Sequence, residues 1–191
     1  MPSTTTSELI QALGLQEHPE GGYYVVTDAR EESIPSPFSE SKSRQLATSI
    51  FYLLTQDRPY GVFHMNKSVT YHVLHHGRVE YTLICPGAPG SAPSIEKVIM
   101  GVNAAAGERR MLMVETNVWK RSSLLESEIS LAVTAEEKDS LNCLITEVVV
   151  PGFDWEDHRY MTQKDLLDLF SGQEKEAVDF APFLYGSGIV D

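Results

Sequence analysis

The stretch Val69-Thr-Tyr-His-Val-Leu-His75, His76-Gly77, Arg78-Val-Glu-Tyr-Thr-Leu-Ile84 decides the fold. Both halves are rich in β-branched and aromatic residues, which suit a pleated, half-buried surface, and His76-Gly77 supplies a turn between them. Working outward, residues 23–27, 47–54, 61–64, 95–100, 110–114, 129–134 and 144–150 repeat the pattern. Asp57-Arg58-Pro59, Ala106-Gly107 and Pro151-Gly152 punctuate them as turn signals. Many short strands at this spacing predict a sandwich or closed barrel and not alternating β-α units.

The flanks read differently. Thr5-Thr-Ser-Glu8 has the spacing of a capping box, with Leu9, Ile10 and Leu13 on one helical face and Gly14 as the stop. Residues 31–45, polar and holding Pro35 and Pro37, read as a long exposed loop. Thr162-Gln-Lys-Asp165 caps a second short helix carrying Leu166, Leu167, Leu169 and Phe170. The tail Phe180-Ala-Pro-Phe-Leu-Tyr185 is apolar enough to dock on the domain or on a second subunit. The 191 residues are expected to form one domain (1–191), with a core at about 6–160 and the C-terminal helix and tail at 161–191.

The formal net charge of −12 argues against a nucleic-acid partner, because an acidic surface repels phosphate backbones. No apolar run is long enough for a membrane span, and Met1 to Ser7 lacks the basic start of a secretion signal, so no membrane partner and a cytoplasmic location are expected. In that reducing compartment Cys85 and Cys143 stay thiols.

Alternation along 70–75 puts Thr70, His72 and Leu74 on one face, and His64 ends the preceding strand candidate. His64 and His72 therefore can point into one interior as proton-transfer groups; two ordinary hydrogen-bonded histidines are the alternative. His75 and His76, beside Gly77, read as exposed turn residues. Trp119 offers a flat wall for stacking a ligand ring, or else fills core. Tyr52 and Tyr81 each place a phenol in the cavity, as acid or hydrogen-bond donor, or pack. In His18-Pro-Glu-Gly-Gly-Tyr23 the glycines permit a tight turn that brings the Glu20 carboxylate toward a ligand; a solvated Glu20 is the alternative. There is no phosphate-cradling glycine loop, no Cys-x-x-Cys pair and no nucleophile elbow.

Five segments in order, His18-Pro-Glu-Gly-Gly-Tyr-Tyr24, Ser49-Ile-Phe-Tyr-Leu-Leu54, Phe63-His64 to Gly77, Gly101-Val-Asn-Ala-Ala-Ala-Gly-Glu108 and Val150-Pro-Gly-Phe-Asp154, resemble the fifth cupin family, related to the sugar-nucleotide epimerase-like cupins. The resemblance implies an all-β, double-stranded β-helix (jelly-roll) barrel with short terminal helices, a pocket in its mouth and a homodimer. It places Phe63 with the pocket residues. Metal-binding cupins carry histidines and a glutamate on a first motif and a histidine on a second. Here Thr70 stands at the glutamate position and Trp119 at the second-motif histidine, which leaves too few ligands, so no metal and no cofactor are expected. The implied function is small-molecule binding, with metal-independent isomerase, epimerase or lyase chemistry on a sugar-like metabolite, His64 or His72 as base and Tyr52 or Tyr81 as acid. A non-catalytic metabolite binder is a second reading. A third is a metal enzyme using His64, His72 and a carboxylate such as Glu20 or Glu147.

Overall fold

A computed structural model describes residues 4–88, 91–172 and 174–189. Its strands are Gln16–Glu17 (β1), Tyr23–Ala29 (β2), Ser33–Pro35 (β3), Ser43–Gln45 (β4), Thr48–Thr55 (β5), His64–Asn66 (β6) and Val69–His76 (β7). They continue with Val79–Cys85 (β8), Ser94–Met100 (β9), Met111–Val114 (β10), Trp119–Ser123 (β11), Asn142–Val150 (β12) and His158–Tyr160 (β13). Helices Thr6–Leu13 (α1), Glu126–Leu131 (α2), Ala135–Ser140 (α3), Gln163–Leu169 (α4) and Glu174–Ala177 (α5) decorate the β framework.

Two antiparallel sheets make an all-β jelly-roll barrel. One runs β1-β2-β5-β12-β7-β10, the other β13-β6-β11-β8-β9. Their inner faces bury one apolar cluster, including Leu54, Leu74, Leu83, Met100, Leu112 and Ile145. Outside the first sheet, α1 lays Leu9 and the following Leu15 over Leu53 and Leu144. Outside the second, α4 and the C-terminal tail cover Phe63, Ile84 and Trp119 with Met161, Leu166, Phe170 and Leu184. The apolar tail therefore docks on its own chain. No helix among the described residues is long and apolar enough to cross a membrane.

The local signals explain the helix ends. Thr5 and Glu8 close the expected capping box, and Gly14 ends α1 in the left-handed conformation. Thr162 and Asp165 do the same for α4.

Four expectations change. Residues 61–63 are not strand, and His64 opens β6 where it was expected to end a strand. Residues 129–134 do not form a strand: Glu126 to Leu131 is helical, and Leu131 and Val133 are about three-quarters exposed. Their apolar spacing of two mimicked a strand that has no sheet to join. The 31–45 segment is not wholly loop, since Ser33–Pro35 and Ser43–Gln45 pair as a hairpin. Trp119–Ser123, left out of the strand reading, pairs with β8 and β6 at the centre of its sheet.

Candidate functional site

Alternation and register decide which side chains enter the barrel. On β7, Thr70, His72 and Leu74 are buried, as their shared face requires. On β8, Tyr81 and Leu83 face inward with them. Leu83 pairs with Lys120, and Lys120 with His64, so these side chains share the interior. Trp119, one residue before Lys120 on β11, points the other way, and Phe63, just before β6, joins it in the cluster beneath the C-terminal tail. Neither lines the cavity. Their expected placement is corrected, and the inward position next to Trp119 belongs to Lys120. Arg159 lies over the Trp119 ring, and Phe180 and Phe63 meet edge-to-face.

The cavity has two parts. A wide outer chamber of about 290 Å³ is walled by Tyr24, Val26, Ile50, Val149, Phe153 and Trp155, and carries Glu20 and Glu147. A narrow inner end is lined by Tyr52, His64, His72, Tyr81, Lys120 and Ser122. Glu20, Ile50 and Glu147 line both and mark the junction. The tryptophan at the mouth is Trp155, which is 60% exposed and meets Phe153 edge-to-face, not Trp119.

At the inner end Lys120, 1% exposed, donates to Glu147 Oε1 at 2.7 Å and to Thr70 Oγ1 at 3.0 Å, and its Nζ lies 3.3 Å from His72 Nε2. An ammonium only donates, so His72 Nε2 accepts and the neutral ring carries its proton on Nδ1. That nitrogen lies 3.2 Å from the Tyr81 hydroxyl and 3.5 Å from Glu147 Oε2. Burial pushes the His72 pKa down to about 3, with Lys120 acting the same way against the pull of Glu147. Burial also raises Tyr81 well above the usual tyrosine value and raises Tyr52, so both phenols stay protonated. For Glu147, burial opposes ionisation, but Lys120 and His72 outweigh it and hold the pKa at about 2.

At the junction, the turn after β1 projects Glu20. Gly22 sits at φ +69°, where a Cβ would come within 2.5 Å of the Leu53 carbonyl oxygen, so only glycine fits. The Glu20 amide donates to His18 Nδ1 at 3.0 Å, and the Glu20 carbonyl accepts from Val62 N–H at 2.9 Å. The carboxylate then meets two imidazoles: Oε1 lies 2.7 Å from His158 Nε2 and Oε2 3.3 Å from His64 Nε2. Burial disfavours the Glu20 charge, yet His64, His18 and His158 together hold its pKa well below the carboxylate range. Burial pushes His64 down to about 4 despite the pull of Glu20.

Of the residues expected at the site, the structure brings together Glu20, Tyr52, His64, His72 and Tyr81. Sequence reasoning missed Lys120 as an interior group and missed His158 altogether. Glu147 was named only as a spare carboxylate. His158 had a signal in retrospect, three residues beyond Trp155, but no strand pattern placed it; β13 is three residues long. Glu20, His64 and His158 also bring three donor atoms within 4.8 Å of one another.

The chain is similar over most of its length to proteins of its own size. An uncharacterised protein of Saccharomyces cerevisiae is 34% identical over 184 residues, covering 92% of this chain and 85% of the yeast protein. A hypothetical protein from Leishmania major superposes with a TM-score of 0.73 at 22% identity, covering 98% of this chain and 97% of the other. A Shewanella oneidensis protein gives 0.72 at 22% identity, covering 95% and 98%. The profile of the cupin superfamily family DUF985 matches residues 7–161, and the chain belongs to that family.

Proposed function

We propose that the protein is a small-molecule enzyme that moves a proton at a carbon next to a carbonyl, the step shared by isomerases, epimerases and many lyases. One observation carries the reading: a buried cation, carboxylate, imidazole and phenol converge on the closed end of a cavity that opens through apolar walls. Such a mixture fits ligand chemistry better than packing, because buried polar groups cost free energy unless they are satisfied.

The roles follow from the hydrogen bonds. Lys120 fixes the His72 tautomer, the His72 Nδ1–H reaches Tyr81, and the Tyr81 O–H is left to face a ligand oxygen as donor. Tyr81 donates to that oxygen, and the positive charge of the neighbouring Lys120, whose own N–H groups are taken, favours negative charge building there. Glu147, ionised and at the junction, is the proton acceptor. A carboxylate held at about 2 is a weak base, so the substrate proton has to be acidified by the carbonyl that Tyr81 binds beside the Lys120 charge. His72 is a positioning residue in this scheme, in place of the base role expected from sequence. His64 stands on the opposite wall with Glu20.

The substrate reading also narrows. No Lys or Arg lines the outer chamber among the described residues, so a diphosphate has no cationic partner there. A compact, uncharged, sugar-like carbonyl compound suits the space and the aromatic mouth of Phe153 and Trp155. Homodimerisation is part of the proposal, and sedimentation equilibrium is expected to give the mass of two chains.

The experiment is proton exchange in D2O. Wild-type protein incubated with a panel of keto and aldehydo sugars is expected to wash out one α-proton signal, read by NMR. Tyr81→Phe and Glu147→Gln are each expected to slow this about 100-fold or more, within the range that general acid–base groups contribute. Exchange that proceeds at the wild-type rate in both variants would remove the assignment.

A further inference from the structure

We infer that Glu20, His64 and His158 bind one divalent first-row transition-metal ion at the junction of the two chambers. The inference goes beyond the proton-transfer reading and stands without it.

The first argument is geometric. Bonds of about 2.0–2.2 Å from a metal to imidazole nitrogen or carboxylate oxygen put neighbouring ligand atoms roughly 3.0–3.4 Å apart. Glu20 Oε2 and His64 Nε2 are 3.3 Å apart, inside that range; Glu20 Oε1 and His158 Nε2, hydrogen-bonded at 2.7 Å, part by a few tenths of an ångström to admit an ion, and all three donors fall within 4.8 Å of one another. Two imidazoles and one carboxylate on one side of an ion are a donor set for divalent iron, zinc, manganese or cobalt.

The second argument is the hydrogen-bond account. His64 Nδ1 lies 3.0 Å from the Val62 carbonyl, which only accepts, so the Nδ1–H is committed there. Nε2 is then the ring nitrogen turned toward the Glu20 carboxylate, 3.3 Å from Oε2, and the one placed to take an ion. The Val62 contact is also the outer-shell bond that aims a metal-ligating histidine.

The surroundings hold the trio in place. Asp157, next to His158, accepts from Arg44 Nε at 2.6 Å and from Lys67 Nζ at 3.1 Å, and the Lys67 amide donates to the Asp157 carbonyl. Phe153, Trp155 and Tyr160 pack around the His158 ring. The Lys120 ammonium, whose charge would oppose a metal ion, is neutralised by Glu147. Glu20 and His64 line the inner chamber, so an ion held by the three keeps an open side toward the cavity for water or a ligand oxygen.

The test uses the full chain, stripped with chelator, dialysed and titrated with cobalt(II) chloride at neutral pH. The wild type is expected to give saturable visible d–d bands at one equivalent, abolished by added zinc. His158→Ala and Glu20→Gln are each expected to weaken cobalt binding about 100-fold or more, at or above the loss seen when a supporting residue is removed. His75→Ala, on the exposed face, is expected to bind as the wild type does. Absence of a saturable band in the wild type overturns the inference, which needs no variant to fold. Wild-type affinity in both His158→Ala and Glu20→Gln, with native circular dichroism, also overturns it. Turnover is not read, and Tyr81→Phe is expected to bind cobalt normally, so failure here and failure of the proton-transfer reading are separate results.

Discussion

Lys120 shows how much one inward-facing residue governs. Its ammonium reaches Glu147, Thr70 and His72 within a space where it is 1% exposed. Removing one partner of a buried ion pair strands the other, at a typical cost of about 3–5 kcal/mol. Lys120→Met is therefore expected to lower stability by roughly that amount in urea denaturation, and the double variant Lys120→Met/Glu147→Gln to recover part of it. A double variant as unstable as the sum of the two singles would deny the coupling. His72 makes the pH prediction. Its folded pKa, about 3, lies below the ordinary histidine value of 6.5, so the folded chain refuses a proton that the unfolded chain takes up. Stability from this group is complete above about 6.5 and is lost as pH falls toward 3. Glu147 adds loss of the same sign only below its ordinary value of 4.5. Melting temperature is expected to fall between pH 6.5 and 4.5, and His72→Asn to flatten that fall. His64 acts in the same direction, so part of the slope persists in the variant.

At the scale of elements, the turn that carries Glu20 and the strand β11 teach opposite lessons. The two glycines announced the turn, and the close approach of Leu53 O explains the need for one of them at Gly22. Gly22→Ala combines positive φ with a 2.5 Å contact against backbone. It is expected to cost roughly 1–3 kcal/mol or more and to displace Glu20, read by urea denaturation and by loss of cobalt binding. Strand β11 gave no such notice. Trp119-Lys-Arg-Ser-Ser123 has one apolar residue in five, yet all five are buried. Lys120 and Ser122 face a polar cavity, while Trp119 and Arg121 face a layer supplied by the chain's far end; the Phe183 ring lies 3.6 Å from the Arg121 guanidinium. Apolar alternation reveals a strand only when one face meets core and the other meets water, and β11 meets neither pattern. The β3–β4 hairpin was hidden for a related reason. Its sequence is polar and rich in proline, and its anchoring is the ion pair of Arg44 with Asp157, more than a hundred residues away.

For the whole molecule, the barrel depends on a cover formed after the family-matched region ends at residue 161. Leu166 of α4 is fully buried in that cover, and Phe63 and Trp119 lie beneath it. Leu166→Ala is expected to cost about 2–5 kcal/mol and to red-shift Trp119 emission as water reaches the second sheet. Unchanged stability would mean the cover is not part of the fold's support. By itself the sequence determined the strand-rich class, the family, the helix caps, and the meeting of His64 and His72 in one interior. Those features rest on neighbours within a few residues, on period-two alternation and on motif order, all of which a linear text preserves. Only the tertiary structure decided that Lys120 and not Trp119 enters the barrel, and that His158 joins Glu20 and His64. Pairing register and chain closure set which face a residue presents and which distant residue it meets. Neither is written in local sequence where both faces of a strand are buried.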